Sequence, residues 1–228
     1  MLELLTHTTL SDGSQTPAEA LRSAKIQGYQ ALVLSDHCDP SNLLEVIEAN
    51  KRLKEVALHI GIDLIVGVEL THIPPPLIEQ YVLTARKLGA EFVAVHGEKI
   101  NLNTKTNPFN PQSSLMERGT NLAAILGGAD LLAHPGLISE EEVKLASELG
   151  VFLDLSAFSK NGLSNGHIAK LALKYNAKLV VCANPHADLD FLTQEEYKIV
   201  AKAAGLNNDD VTKMLHDINM LLCKLYKR

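Results

Sequence analysis

Histidines and carboxylates recur in this chain at the ends of short apolar runs. Five of the nine histidines end or closely follow such a run, and acidic residues stand beside them. Together with one asparagine, the residues are His7, Asp12, Asp36, His37, Glu69, His96, His134, Asn184 and His186. Imidazole nitrogens and carboxylate oxygens are ligands for Zn²⁺, Mn²⁺ and Fe²⁺. If these side chains meet, the pattern indicates a hydrolytic metal site in which Glu69 could bridge two ions.

Each of these residues alone also has an ordinary structural explanation. A single histidine after a strand is commonly a hydrogen-bonded loop residue. Asp12 and Asp36 could cap turns, the "HPG" at 134–136 could be a turn, and Glu69 could form a salt bridge. The joint pattern favours a metal site, because histidines scattered through a core would not gather at one end of the strands.

The four remaining histidines lie elsewhere in the pattern. His59 falls near a predicted helix C-terminus, where its partial positive charge is favourable. His167 and His216 lie on predicted helices and are expected to be solvated. His72 follows the third apolar run, where a surface role is favoured over contact with a substrate.

Seven apolar runs supply the elements that would position the chemistry. They are almost continuously apolar, which is typical of strands buried on both faces of a parallel sheet. The runs are residues 2–5, 31–35, 64–70, 92–96, 131–134, 151–156 and 178–183.

Helix signals lie between the runs. "TPAE" at 16–19, "SEEE" at 139–142 and "TQEE" at 193–196 predict capped helix starts. Gly61, Gly89 and Gly150 stand where helix C-caps belong. The alternation predicts a parallel α/β fold, either an open doubly wound sheet or a barrel with one unit fewer than the usual eight. In both, active sites lie at the carboxyl ends of the strands, where the histidines fall.

Composition limits the possible function classes. The chain has 228 residues, 46% of them hydrophobic, and a net charge of -6, which suits one globular domain spanning 1–228. We expect a cytoplasmic protein, because no apolar run could cross a bilayer and no leader segment is apparent. Cys38, Cys182 and Cys223 predict reduced thiols. The acidic balance makes nucleic acid an unlikely partner, and the oligomeric state is left open.

The motifs resemble a known family. "THTTLSDG", "LSDH", "GVEL", "VHGE", "LAHPG" and "ANPHA", in this order, are similar to the motifs of the PHP superfamily, named for polymerase and histidinol phosphatase domains. The resemblance covers the whole chain and is closest to short, stand-alone, histidinol-phosphatase-like members. It implies a distorted (β/α)7 barrel with helices outside, up to three divalent metal ions at the strand ends, and hydrolysis of phosphoesters.

Two family ligands are replaced in this chain. Leu5 stands where the family's first motif has a histidine, and Asn184 stands where its last motif has an aspartate. The resemblance assigns both positions to one ion, which would keep only His7, Glu69 and the Asn184 carbonyl. The two other implied ligand sets are intact: Glu69, His96 and His134, and Asp12, His37 and His186. We therefore expect fewer than three tightly bound ions, of zinc, manganese or iron.

The resemblance also implies residues for catalysis and substrate binding. Glu69 and His37 are the candidate catalytic residues. Lys99 and Lys160 are candidate substrate-binding cations, as is Lys105, although each could equally be a solvated loop lysine. Lys99 and Lys105 belong to a loop at 97–112 whose length is typical of functional loops. Phe158 occupies the place where close relatives carry a basic residue.

Three functions remain open from the sequence. The favoured one is a metal-dependent phosphoesterase that hydrolyses a small phosphate monoester by a metal-activated water. The alternative is a degenerate domain that binds metal or a phosphorylated ligand with little or no turnover. A nucleic-acid-processing role is the least favoured, because the chain is acidic and has no basic arm. In each case no membrane association is expected.

Overall fold

A parallel sheet that closes almost into a barrel forms the centre of the molecule. The structure is a computed structural model that describes residues 1–100, 116–158 and 160–227. Its strands are β1 (Leu2–Glu3), β2 (Ala31–Leu34), β3 (His37–Cys38), β4 (Asp63–Leu70), β5 (Phe92–His96), β6 (Leu131–Ala133), β7 (Phe152–Ser156) and β8 (Leu179–Cys182). Every described strand pair is parallel.

Strand order confirms the predicted barrel. Neighbouring strands follow the order β1-β2-β4-β5-β6-β7-β8, which is the path of the seven apolar runs. The two-residue strand β3 was not predicted. It continues the chain beyond β2 and pairs with the end of β4, which sets His37 opposite Glu69. The sequence at 31–38 therefore gives two segments of strand, interrupted at Ser35 and Asp36.

Helices surround the sheet. They are α1 (Pro17–Ile26), α2 (Leu43–Lys51), α3 (Lys54–Ile60), α4 (Ile78–Leu88), α5 (Thr120–Leu126), α6 (Glu140–Leu149), α7 (Asn165–Tyr175), α8 (Gln194–Ala203) and α9 (Asn208–Leu225). The three predicted capping boxes are confirmed at the starts of α1, α6 and α8. Gly61, Gly89 and Gly150 end their helices in the left-handed conformation, as predicted. None of the described helices is long and apolar enough to cross a membrane, and the cytoplasmic location stays a prediction.

Buried cysteines belong to the core. Cys38 and Cys182 are buried and Cys223 is exposed, and all three are free thiols. The Sγ atom of Cys38 lies 3.3 Å from the carbonyl oxygen of Asp36. Both buried cysteines pack in the main apolar cluster, so they serve as small core residues, which agrees with the prediction for Cys182.

Glu3 bridges the seam where the barrel closes. Its carboxylate accepts the backbone N–H of Ala183, from the end of β8, at 3.0 Å, and those of Leu4 and Leu5 at 3.1 Å. Beyond this bridge the N–H of His7 donates to the carbonyl of Pro185. Burial raises the pKa of Glu3 to about 8, although the three N–H donors oppose the shift. One carboxyl group thus joins the first and last strands at the seam.

Replacing Glu3 with Gln should flatten the pH dependence of stability. The folded-state pKa of about 8 lies above the usual 4.5, so the stabilising contribution is fully present below pH 4.5 and is lost as the pH rises through 8. We expect the wild-type free energy of unfolding to fall by roughly 1 kcal/mol per pH unit across this window. Urea unfolding at several pH values measures the slope. The exposed Glu148→Gln variant is the control and should keep the wild-type slope. If Glu3→Gln also keeps it, Glu3 is not the source of the pH dependence.

Candidate metal centre

Four predicted ligands meet around the exposed carboxylate of Asp12. The group consists of His7, Asp12, His37 and His186, whose ligand atoms all lie within 4.8 Å of one another. Asp12 Oδ1 lies 3.4 Å from Nε2 of His186 and 3.9 Å from both His7 Nδ1 and His37 Nε2. The ring of His7 stacks between those of His37 and His186, with centroids 4.3 and 4.5 Å away. We call these four residues the outer group.

Three further predicted ligands form a buried group beside it. Glu69, His96 and His134 also place one ligand atom each within 4.8 Å of the others, and all three are buried. We call them the inner group. They come from the ends of β4, β5 and β6, which are neighbouring strands. The parallel register therefore sets the three side chains side by side at one end of the sheet.

Glu69 lies between the two groups. Its Oε2 atom is 3.2 Å from Nε2 of His7 and 3.7 Å from Nδ1 of His37, both in the outer group. The side chain is fully buried, and neither carboxylate oxygen has a hydrogen-bond partner among the described residues. A carboxylate in this position can face cations on both sides, as the sequence predicted for a bridging ligand.

The loop that carries His7 and Asp12 is held by Asp36. Asp36 is fully buried, and its Oδ1 atom accepts the backbone N–H of Thr8 at 2.7 Å and the hydroxyl of Ser11 at 2.7 Å. Gly13 closes the same loop, where a Cβ atom would lie 2.3 Å from the His7 carbonyl oxygen. Asp36 therefore acts as the turn-capping residue that the sequence offered as its ordinary explanation, whereas Asp12 points to the histidines.

Most of the histidines are oriented through their Nδ1 atoms. His37 Nδ1 lies 2.7 Å from Thr71 Oγ1, and His134 Nδ1 lies 2.6 Å from Asp154 Oδ2. The Nδ1 atoms of His96 and His186 face the carbonyl oxygens of Gly97 and Asn184, respectively. A partner at one ring nitrogen fixes the ring and leaves the other nitrogen as a potential ligand, which is the usual arrangement around protein metal sites.

Burial keeps one imidazole of each group neutral. Burial lowers the pKa of His37 to about 4 and that of His96 to about 3, so both carry free lone pairs at neutral pH. The nearby His186 holds the pKa of Asp12 well below its usual range. Burial alone would raise the pKa of Glu69, but the surrounding imidazoles outweigh it and the net shift is downward. Asp12 and Glu69 thus offer anionic oxygens, and His37 and His96 offer neutral nitrogens, the protonation states in which these groups bind metal.

Unsatisfied buried atoms test whether a metal fits this set. Buried polar groups in native proteins almost always have partners. Both nitrogens of His7 and both oxygens of Glu69 are buried and have none within the described ranges. Nitrogen and oxygen donors of this kind suit Zn²⁺, Mn²⁺ or Fe²⁺. The residues therefore fit divalent metal ions, which would supply the missing interactions.

Of the two altered family positions, one lies in the apolar core and the other contacts the inner group. Leu5 is fully buried and packs in the main apolar cluster. Asn184 is buried with φ of 53°, and its Nδ2 atom lies 3.3 Å from Nε2 of His134. Its Oδ1 atom has no hydrogen-bond partner in the described part of the chain. The resemblance assigned His7 to the same ion as Asn184, whereas the structure places His7 in the outer group. The role of Asn184 as a metal ligand stays a prediction.

A cavity of about 350 Å³ opens onto both groups. Lys99 and His72 line it together with His37 and His96. His72 thus lies at the mouth of the site, although the side chain itself is exposed as predicted. Lys99 is the predicted substrate-binding residue that the structure brings to the site.

Of the other predicted cations, only Lys160 belongs to the described residues. Lys160 is exposed and does not line it. Lys105 and residues 101–112 of the long loop lie outside the described residues. Phe158 instead borders the outer group, because its ring stacks on His186 with centroids 5.6 Å apart. The substrate-binding roles of Lys99 and Lys160 stay predictions.

The histidines set apart from the pattern are structural. His59 lies in the last turn of α3, as predicted, and His216 is exposed on α9. The prediction of a solvated side chain is wrong for His167. That ring is half-buried, and its Nε2 atom lies 2.7 Å from the carbonyl oxygen of Ile138, so it ties α7 to the loop before α6.

Two residues at the site were missed by sequence reasoning. Asp154 holds His134, and Thr71 holds His37. Asp154 did leave a signal, because a carboxylate inside the apolar run "FLDLS" must find a buried partner. Thr71 left none, since a threonine after a strand is common.

Comparisons with known proteins agree with this geometry. A family model described as PHP domain matches residues 3–194. An uncharacterized protein of Methanocaldococcus jannaschii is 36% identical over 214 residues, 92% of each chain. A chain in the cryo-EM structure of archaeal Ribonuclease P with mature tRNA has a TM-score of 0.72 at 13% identity, covering 99% of this chain and 91% of that one. A. niger ochratoxinase has a TM-score of 0.54 at 13% identity, covering 90% and 67%. At such identities, these structural likenesses concern the fold alone.

Replacing Glu69 with Gln should lower the amount of bound metal. The amide is neutral, and its NH₂ group offers no lone pair to a cation. Because even outer-shell changes cost 10–100-fold in affinity, we expect roughly 100-fold or greater weakening at the inner group. Metal content after dialysis, measured by plasma mass spectrometry against wild type and the exposed control Glu195→Gln, checks this. Unchanged stoichiometry in Glu69→Gln would mean that Glu69 is a structural carboxylate.

Proposed function

Because the chain belongs to the PHP domain family, we propose that it is a metal-dependent phosphoesterase acting on a small phosphate monoester. The family's members are typically hydrolytic and metal-dependent. The observation that carries the proposal is the position of Glu69, a buried carboxylate without hydrogen-bond partners between two groups of potential ligands. A histidinol-phosphatase-like substrate range belongs to this proposal and rests on the sequence motifs.

The residues of the site would have separate roles in catalysis and in holding the metal ions. Bound divalent ions would supply a Lewis acid for the phosphoryl group and lower the pKa of a water molecule. Glu69 and His37 are the proposed catalytic residues, since Glu69 faces both groups and His37 lies within 4 Å of both Glu69 and Asp12. The remaining imidazoles would hold the ions through their ring nitrogens. Zinc, manganese and iron all suit these donors.

The cavity supports a small anionic substrate. Its volume of about 350 Å³ lies in the lower range of small-molecule pockets. Lys99 in its wall is positioned to balance part of the charge of a phosphate, while Lys160 is exposed and does not line the cavity. A net charge of -6 argues against a long polyanion, so a nucleic-acid substrate is disfavoured even though one structural relative comes from Ribonuclease P.

A second candidate is a domain that binds metal with little or no turnover. Leu5 fills apolar core where the family has a ligand, and the Asn184 amide contacts His134 Nε2. Both features favour fewer than three tightly bound ions. If the weakened position is the one that activates water, binding would persist while hydrolysis is slow.

A phosphatase screen separates the two candidates. We expect release of phosphate from at least one nucleotide monophosphate, sugar phosphate or histidinol phosphate in the presence of Mn²⁺ or Zn²⁺. The activity should disappear with EDTA, which removes the metal ions, and in Glu69→Gln, which removes the carboxylate that faces both groups. A protein that binds metal stoichiometrically yet hydrolyses none of these compounds would be the degenerate domain.

Restoring the two altered positions should raise metal binding and rate together. Leu5→His with Asn184→Asp adds one imidazole and one negative charge, and ligand number and charge set the affinity of such sites. We expect an additional ion per chain and at least a tenfold higher rate than wild type. The two single variants serve as controls, each with a smaller gain. A double variant that is folded by circular dichroism but gains neither would show that these positions do not form an ion site here.

A further inference from the structure

One carboxylate oxygen holds both the backbone and the ring of His134. Asp154 Oδ2 lies 2.6 Å from Nδ1 of His134 and 3.3 Å from the same residue's backbone nitrogen. Both side chains are fully buried, at 1% and 0% exposure. His134 has φ of 46°, a left-handed conformation that a residue with a Cβ adopts only when its surroundings require it. Asp154, on the neighbouring strand β7, holds this backbone in place by accepting its N–H.

This contact decides which ring nitrogen of His134 carries the proton. A carboxylate accepts hydrogen bonds and donates none, so the proton of a neutral His134 belongs on Nδ1. The Nε2 atom is then the acceptor of the ring. A second contact agrees independently, because the group 3.3 Å from Nε2 is the Asn184 amide nitrogen, a donor. Donor and acceptor roles alternate correctly along the chain Asp154, His134 and Asn184 only in this tautomer.

We propose that Asp154 is a positioning residue that fixes His134 as the Nδ1–H tautomer and so presents Nε2 to the inner group. The proposal rests on the proposed function in one respect: the Nε2 lone pair would serve to bind a divalent ion together with Glu69 and His96. The tautomer itself is a property of the metal-free protein. If Asp154 has this role, its loss should change which nitrogen of the His134 ring is protonated and not only the stability of the fold.

The test is the protonation of the His134 ring nitrogens in metal-free protein. Long-range ¹H–¹⁵N spectra of wild type, recorded at a pH at which the His134 ring carries one proton and assigned by the signals lost in His134→Gln, should show a protonated Nδ1 and an unprotonated Nε2. That proton on Nε2 instead would overturn the proposal. Because this measurement uses wild type, it stands even if a substitution at Asp154 prevents folding.

Asp154→Asn then tests the cause. Its amide can either donate or accept, so we expect the single tautomer to be lost and Zn²⁺ affinity at the inner group to fall about 10–100-fold. Asp130→Asn is the matched control, because Asp130 is also buried and accepts a backbone N–H, from Val93, but lies away from the site. An Asp154→Asn protein that is folded with the wild-type His134 tautomer would overturn the proposal. Wild type with the expected tautomer but no Zn²⁺ binding would instead refute the proposed function.

Discussion

A carboxylate excluded from water and without hydrogen-bond donors is the constraint on which this site depends. Glu69 is fully buried, and its Oε2 atom lies 3.2 Å from Nε2 of the buried His7. Removing a charge from water costs several kcal/mol even in a relaxed protein interior. A fold retains such a group when something cationic compensates it, and divalent ions between the outer and inner groups would do so. The surrounding structure is best understood as the means of holding these ligands in place.

The barrel supplies that means through its register and through strained strand ends. Adjacent parallel strands bring Glu69, His96 and His134 into one group, and β3 sets His37 opposite Glu69. Among the described residues, four non-glycine residues have positive φ, and three of them follow strands at this end: His72, His134 and Asn184. Left-handed backbone at such residues is costly and tends to occur at functional sites. Here it accompanies the buried His134 and Asn184 immediately after their strands.

Much of this arrangement could be read from the sequence, because it rests on local patterns. Continuous apolar runs give doubly buried strands, and parallel strands must place their carboxyl ends together, so the convergence of His7, Glu69 and His96 follows. The partition into two groups could be predicted only through the family resemblance, because the apolar pattern does not specify the distances between side chains at neighbouring strand ends. The place of His7 in the outer group was not predicted, since the resemblance assigned His7 and Asp12 to different ions. The same holds for Asp154 and Thr71, whose roles depend on which ring they face. The burial of Leu5 among apolar side chains likewise depends on packing across the barrel.

Anomalous diffraction from crystals soaked in Zn²⁺ or Mn²⁺ locates each bound ion without reference to activity. We expect two strong peaks. One lies within coordination distance of Asp12 and the outer imidazoles, and the other lies beside Glu69, His96 and His134, with Glu69 reaching both. Peaks only at surface carboxylates, with Glu69 still buried and unpartnered, would contradict the assignment of this strand-end cluster as a metal centre.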